Sequence, residues 1–318
     1  MTTRIFIDGE VGTTGLQIRA RLDQRKDLDF ISLGEEKRKD AGARREALNA
    51  ADIVILCLPD EAAKEAVSLI DNKTTRVIDA STAHRVSPGW VYGFPEMSAE
   101  QRQAISGAAR VTNPGCYPTG AIALVKPLVD AGLVPKGWPL TVNAVSGYSG
   151  GGKQMIAEFE DEASPNYTFE AFRAYALGLA HKHVPEMQAN MGLDHPPLFA
   201  PAVGRYAQGM IVEVPLQLWA LPGKPSVARV HEVLAAAYEG ARFVSVVPLG
   251  ESAAMTKLEP EGLNGTNAMK LFTFGNETTG QVMLTALLDN LGKGASGAAV
   301  QCINLKTGVA ETTGLTVG

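Results

Sequence analysis

Arg4-Ile5-Phe6-Ile7-Asp8-Gly9-Glu10-Val11-Gly12-Thr13-Thr14-Gly15 begins with a short apolar run and passes through regularly spaced glycines into Leu16–Leu22, which has helical spacing. A buried strand that turns through glycines into a helix is the opening of a nucleotide-binding sheet. Glycine lets the backbone turn tightly and approach a pyrophosphate, and the helix start offers unpaired N–H groups and the positive end of a dipole. The spacing is GxxGxxG, not GxGxxG, so the strand–turn–helix context carries the reading. The same rhythm continues through expected strands at Asp29–Leu33, at Asp52–Leu58 (stopped by Pro59) and at Arg76–Asp79, with a helix over Glu61–Ile70. Strands that are apolar throughout and alternate with helices imply a parallel sheet covered on both faces.

The pattern changes near residue 140. Met210–Leu218 alternates apolar with polar residues, as do parts of Arg242–Leu249 and Met269–Phe274. Period-two alternation points to an antiparallel sheet with one covered face. Helices are expected at Gly152–Asp161, His183–Met191 and Ser226–Tyr238. A last helix is expected over Gln281–Leu291, running into the glycine-rich segment Gly292–Gly297. The expected fold is an α/β Rossmann-type parallel-sheet domain plus an α+β domain with a mainly antiparallel sheet. The first domain is placed at residues 1–117, completed by 285–318, and the second at 118–284.

Composition narrows the class. The chain has 318 residues and is 45% hydrophobic, enough for a sizeable core. A net charge of −5 with no basic tail argues against a nucleic-acid partner. No apolar run approaches the ~20 residues that span a bilayer, and the N-terminus lacks a signal-peptide pattern. Three scattered cysteines, Cys57, Cys116 and Cys302, make neither a disulfide framework nor a zinc site. A reducing, cytoplasmic setting is expected.

Asn113-Pro114-Gly115-Cys116-Tyr117-Pro118-Thr119-Gly120 follows an expected strand end at Arg110–Thr112 and precedes an apolar helix from Ala121. Pro118 suits a first helical turn, where its missing N–H costs nothing. Cys116 would then stand at a helix N-terminus, where the dipole and unpaired N–H groups favour a thiolate able to attack a carbonyl. The same N–H groups would hold the resulting oxyanion. Cys57, centred in an apolar strand, and Cys302 read as small buried hydrophobes. Pro127 predicts a kink or an early end to the helix.

Among five histidines, His231 in an amphipathic helix and His195 in a Pro-rich loop read as structural or solvent-facing. His181-Lys182-His183-Val184-Pro185-Glu186 places two imidazoles about a lysine just before a helix start, a cluster suited to acid–base work and to holding an anion. No thiolate or carboxylate ligand stands at metal-binding spacing from the pair, so no metal is expected. Ser146–Lys153, with Ser149, Gly150 and Lys153, forms a glycine-rich loop able to cradle a phosphate, although the P-loop spacing is absent. At the end of the second strand, Ser32 precedes Glu35-Glu36 and Lys37-Arg38-Lys39, a mixed signal for the cofactor's 2′ position.

Taken together, the chain resembles the N-acetyl-gamma-glutamyl-phosphate reductase family in its shorter form. The resemblance runs through Asp8–Gly15, Asp79–Arg85, Tyr92–Glu96, Asn113–Thr119, Gly147–Lys153, His181–Glu186 and Asp289–Gly294. It implies reduction of N-acetylglutamyl 5-phosphate by NADPH to the 5-semialdehyde, with release of phosphate. The family's nucleophile falls on Cys116 and its catalytic histidine on one of His181 and His183; His181 is preferred here because it precedes the helix. Gly9, Gly12, Thr13, Thr14, Gly15, Ser32 and Ser81, with Asn290 and Gly292 of the C-terminal glycine segment, become the expected cofactor residues. Arg85, Asn113, Ser149, Gly150, Lys153, Lys182 and Arg205 become the expected substrate residues. Assembly as a homo-oligomer, dimer or tetramer, is implied. The loop Gly9–Gly15 departs from the GxSGYxG-like loop of the family's longer form, so residues recognising the adenosine end do not transfer. Two alternatives remain open on the sequence: an aspartate-semialdehyde dehydrogenase, and an NADP(H)-binding redox sensor without turnover.

Overall fold

The computed structural model describes residues 2–318. It divides into two compact units, one running to Gly115 and taking in Ala295–Leu315, the other formed by Cys116–Gly294 with Thr316–Gly318. The first unit contains β1 (Thr3–Asp8), α1 (Thr13–Leu22), β2 (Leu28–Ile31), α2 (Ala41–Ala50), β3 (Ile53–Leu56), α3 (Asp60–Ser68), β4 (Arg76–Asp79), β5 (Val91–Tyr92), α4 (Ala99–Gly107) and β6 (Arg110–Thr112). Its six strands are all parallel, in the order β2-β1-β3-β4-β6-β5.

Strand β3 explains why the sequence there is apolar at every position. Ile53 and Ile55 point into a core with Ile5, Ile7, Ile18 and Leu22. Val54 and Leu56 point the other way, into a core with Phe6, Leu48, Ala63 and Ala66. Successive side chains alternate between two buried faces, and each contributes roughly 1.5–3 kcal/mol by leaving water. This is the covered parallel sheet read from the sequence.

The second unit contains α5 (Cys116–Asp130), β7 (Thr141–Gly147), α6 (Gly152–Glu160), β8 (Phe172–Ala174), α7 (Val184–Met191), β9 (Leu198–Gly204), β10 (Met210–Gln217), α8 (Val227–Ala237), β11 (Val244–Val246), α9 (Leu249–Ala254), β12 (Met269–Asn276) and β13 (Gln281–Leu288). Its seven strands run β11-β12-β13-β10-β7-β9-β8. The pairings are antiparallel except β11 with β12 and β7 with β9. Along β10, Met210, Val212, Val214 and Leu216 are buried while the residues between them are only half-buried, as a sheet with one well-covered face requires. Helix α5 lies on the covered face, where Gly120 permits close approach: a Cβ there would stand 2.9 Å from Val212 and 3.3 Å from Ala286. The chain then returns to the first unit as α10 (Gly297–Thr307), which buries Ala299, Val300, Cys302 and Ile303 with Ile5 and Ile7.

Two expectations are corrected. Gln281–Leu291 is not a helix: Gln281–Leu288 is the strand β13, paired antiparallel on both sides, with β10 and β12. Its run Val282-Met283-Leu284-Thr285-Ala286-Leu287-Leu288 is apolar almost throughout, because Leu284–Leu288 is buried on both faces, Leu287 packing with Leu263, Ala268 and Phe272. Such a run cannot be told from a helix by periodicity, and sheet pairing overrides the helix propensity of Leu, Met and Ala.

Pro127 does not end α5 either, since the helix continues to Asp130. A proline inside a helix removes the N–H that would reach the carbonyl four residues back, here Ala123. The Tyr238 hydroxyl supplies the missing donor, at 2.8 Å from that carbonyl oxygen. Replacing Tyr238 with Phe leaves this buried carbonyl without its hydroxyl donor, so stability should fall by about 1–3 kcal/mol. The measurement is the urea midpoint at unchanged slope.

Candidate active site

In the first unit the glycine loop follows β1 directly. Gly9 has φ +88°, and a Cβ there would collide with the Cys57 carbonyl. Gly12 N–H donates to Gly9 O at 3.0 Å, closing the turn. A Cβ on Gly15 would stand 2.6 Å from Gly9 O and 2.8 Å from the Glu10 Cα. Gly12 is the N-cap of α1 and provides no side-chain acceptor, so the first-turn amides, including those of Thr13 and Thr14, point at a space that an anion fills well. Ser32 is exposed immediately after β2. In the charged run beyond it, Arg38 pairs with Glu35 at 2.6 Å.

At the C-terminal end of β4, the buried Asp79 side chain accepts bonds from Ser81 N at 2.9 Å, Ser81 Oγ at 2.8 Å and His84 Nδ1 at 2.6 Å. His84 also stacks on Trp90, with ring centres 4.2 Å apart. Sequence reasoning assigned Ser81 but missed the Asp79–His84 pair. A strand-terminal acid five residues before a histidine was the signal, weak without knowledge of the turn between them. The Asp79 carbonyl accepts from Asn113 N at 2.7 Å, and Arg85 Nε donates to the Asn113 carbonyl at 3.0 Å. The Asn113 amide donates to Ala295 O at 2.9 Å, while its buried Oδ1 meets no donor among the described residues. An unfilled acceptor of this kind suits a primary amide such as that of nicotinamide. Together with the glycine cradle, it shows that the first unit fits a nicotinamide dinucleotide.

In the second unit, Cys116 is the first residue of α5 and is partly exposed. Gly294 packs against it so closely that a Cβ there would lie 2.8 Å from the Cys116 Cβ. This constraint was not among the sequence assignments. Tyr117, the next residue, packs its ring against both His181 and His183, with centres 6.4 and 5.9 Å apart. The two imidazoles are 4.6 Å apart in an edge-on arrangement. His183 N–H donates to His181 Nδ1 at 3.1 Å, which leaves the proton of a neutral His181 on Nε2. His183 is buried at the start of α7, and Lys182 is exposed between the two. Burial pushes the Tyr117 phenol well above its usual value, with Tyr175 and a negative charge on Cys116 acting the same way. Tyr175 is pushed up to about 12, chiefly by burial. Both phenols therefore stay protonated at neutral pH and act as donors, not bases.

The remaining assignments separate. Ser149 is buried; its N–H donates to Ala207 O at 3.0 Å, and its Oγ accepts from Asn290 Nδ2 at 3.0 Å. Asn290 Oδ1 accepts from Gly209 N–H at 2.7 Å, so this side chain ties the 147–151 loop to the turn before β10. Gly292 is pressed against the Thr266 carbonyl, leaving no room for a Cβ. Gly150 and Lys153 are exposed around the start of α6. Arg205 does not join the cysteine–histidine group. Its guanidinium donates to Thr168 O at 2.5 Å and to Tyr167 OH at 3.3 Å, and it lies over the Phe159 and Tyr167 rings.

The other thiols are placed otherwise. Burial, followed by the charges of Asp79 and Asp8, pushes the Cys57 thiol up to about 12, and Cys302 is buried in α10 with its Sγ 3.5 Å from Gly93 O. Among the described residues, no group of three or more His, Cys, Asp or Glu side chains could hold a metal ion, and no helix is long and apolar enough to cross a membrane.

Comparison with known proteins agrees with this division. Residues 116–290 match the family model described as semialdehyde dehydrogenase, dimerisation domain, and residues 21–105 match semialdehyde dehydrogenase, NAD binding domain. The N-acetyl-gamma-glutamyl-phosphate reductases of Brucella ovis and Brucella canis are each 59% identical over 97% of this chain and 100% of their own. Among solved structures, aspartate semialdehyde dehydrogenase II from Vibrio cholerae covers 96% of this chain and 99% of its own, with TM-score 0.71 at 16% identity. The Francisella tularensis aspartate semialdehyde dehydrogenase covers 96% and 100%, with TM-score 0.70 at 13% identity. At such identities these two structures speak for the fold alone. The full-length match to the reductases, on top of the two domain matches, decides the relationship: the chain belongs to the semialdehyde dehydrogenase family, among its N-acetyl-gamma-glutamyl-phosphate reductases.

Proposed function

We propose that this chain reduces N-acetylglutamyl 5-phosphate to N-acetylglutamate 5-semialdehyde with NADPH, through a thioester on Cys116. The observation that carries the reading is the packing of both His181 and His183 against Tyr117, the residue next to Cys116, in a chain 59% identical over 97% of its length to proteins named for this reaction. The Cys116 thiolate attacks the acyl carbon; the carbon–oxygen bond to phosphate breaks, and phosphate leaves with its electron pair. Backbone amides at the start of α5 hold the oxyanion. When bound, the nicotinamide would supply the hydride that reduces the thioester carbon. An imidazolium at His181 or His183 then stabilises the thiohemiacetal oxygen and the departing sulfur as the carbon–sulfur bond breaks, returning the electron pair to Cys116 and releasing the aldehyde.

Gly9, Gly12, Thr13, Thr14 and Gly15 hold the pyrophosphate, and Ser32 faces the 2′-phosphate. Ser81 borders the nicotinamide together with Asn113, which is moved here from the expected substrate residues because of its unpaired Oδ1. The absence of an acid at Ser32 favours NADPH over NADH, because a carboxylate there would repel the extra phosphate. Ser149, Gly150, Lys153, Lys182 and Arg85 offer donors for the substrate's phosphate and carboxylate. Arg205 is left out, since its donors are taken within the second unit. Two copies associate through the sheet face opposite α5, which carries exposed Phe172, Leu177, Leu179 and Leu198.

The decisive assay is phosphate-dependent reduction of NADP by N-acetylglutamate semialdehyde, repeated with NAD and with aspartate semialdehyde. The expected result is turnover with the acetylated substrate and NADP, and at least ~10-fold lower kcat/KM for either replacement. Equal use of aspartate semialdehyde would overturn the substrate assignment, and no turnover at all would favour a redox sensor. Cys116→Ser should lose turnover by at least ~10³-fold while still binding NADPH. Brief iodoacetamide treatment at pH 7, read by peptide mass spectrometry, should label Cys116 and spare Cys57 and Cys302. Labelling of Cys57 first would contradict its high pKa and the roles given to both thiols.

A further inference from the structure

Tyr175 follows β8 in the segment Phe172–Leu179, whose other large side chains face outward: Phe172, Leu177 and Leu179 are 61%, 78% and 58% exposed. Two non-glycine residues there have left-handed backbones, Ala176 with φ 53° and Leu179 with φ 57°. L-residues hold such conformations only when their surroundings impose them. Tyr175 alone turns inward. Its N–H donates to Pro201 O at 3.2 Å, its ring meets the edge of His181 at 5.7 Å between centres, and its hydroxyl donates to Tyr117 OH at 3.2 Å.

The Tyr117 hydroxyl in turn donates to Ala202 O at 3.0 Å. It thus gives its one proton to the strand and receives the Tyr175 proton, and these bonds, with the Ser146 side chain beside them, anchor the tip of the Tyr117 ring. That ring is the common surface against which His181 and His183 pack, and Tyr117 is bonded directly to Cys116 in the chain. Removing the Tyr175 hydroxyl would release Tyr117 from one side and loosen the histidine pair. Between the segment and strands β7, β9 and β10 lies a pocket of about 430 Å³, lined by Phe172, Tyr175, Leu177, Leu179, Phe199 and Glu213. Strand β8 holds the start of the segment to β9, while Phe172, Leu177 and Leu179 leave an apolar edge of this pocket exposed.

We propose that Tyr175 is a positioning residue: its hydroxyl bond to Tyr117 sets the His181–His183 pair in register with Cys116, and a second copy of the chain seated on Phe172–Leu179 holds Tyr175 in place. The second half rests on the two-copy reading given above, whose occupant is the one that the matched dimerisation domain supplies. Catalytic geometry is then complete only in the assembled protein.

The test uses the full chain in the phosphate-dependent assay. Tyr175→Phe should lower kcat by about 10-fold while moving KM for the semialdehyde less than about 2-fold, the split expected when reacting groups are misplaced but substrate contacts remain. Tyr117→Phe removes the same bond together with the one to Ala202 O and should lose at least as much, which keeps the question decidable if one variant folds poorly. The double variant Phe172→Asp/Leu177→Asp should sediment as a single chain with a similar kcat loss, and adding Tyr175→Phe to it should cost nothing further. Wild-type kcat in a folded Tyr175→Phe protein overturns the positioning role. A single-chain double variant with full activity overturns the coupling to a second copy. Wild-type protein that itself sediments as a single chain sinks the two-copy reading alone, and Tyr175→Phe still decides the rest.

Discussion

A helix buried along most of its length fixes the direction of whatever stands at its first residue. In α5, Tyr117 to Val125 are all buried, so the helix cannot roll or slide without disturbing the sheet it lies on. Gly120 sets how near it comes to β10 and β13, because any side chain there meets Val212 and Ala286. The Tyr238 hydroxyl keeps it continuous past Pro127. Gly294 closes against its first residue. The position of Cys116 at the start of α5 is therefore set by packing spread over the second unit.

The first unit applies a related economy at the C-terminal ends of its strands. β1 ends in Asp8 and the glycine loop, β4 in Asp79, and β6 leads to Asn113. Parallel strands bring these ends to one edge of the sheet, where ligands of such sheets bind. Asp79 organises that edge twice, through its side chain to Ser81 and His84 and through its carbonyl to Asn113 N–H. Asp8 is held by Arg44 from α2, with Nη2 at 2.9 Å. These acids sit at the strand ends, Asp8 beside the glycine loop, and their hydrogen bonds fix backbone amides and a cationic partner in place.

What could be read from the sequence divides along the same physical line. Features set by neighbours in the chain were legible. The strand Arg76–Asp79 and the helices α6, α7 and α8 appear within a residue or so of expectation, the last with Ser226 accepting from Arg229 N–H at its start. The glycine loop and the helix start at Cys116 were legible for the same reason, since turn, cap and dipole effects act over a few residues. Features set by distant partners were not. β13 looks helical until β10 and β12 pair with it, and Pro127 looks like a stop until Tyr238, 111 positions later by sequence number, donates to Ala123. Nothing near Arg205 in sequence announces the aromatic and carbonyl partners that its guanidinium meets.

The phenols beside the cysteine complete the argument about proton movement. A protonated tyrosine can give a hydrogen bond but cannot take a proton, and burial keeps Tyr117 and Tyr175 protonated well beyond neutral pH. A negative charge on Cys116 would raise both further. The hydroxyl pair is thus chemically inert over the working range, which suits a fixed frame. The backbone N–H that His183 directs at His181 Nδ1 makes the two imidazoles inequivalent. While that bond holds, His181 presents its Nε2–H as a donor and can stabilise a developing negative charge, but it cannot also accept a proton at that nitrogen. Any exchange of donor for acceptor at His181 must break the bond to the His183 backbone, which ties the acid–base state of one ring to the first turn that positions the other.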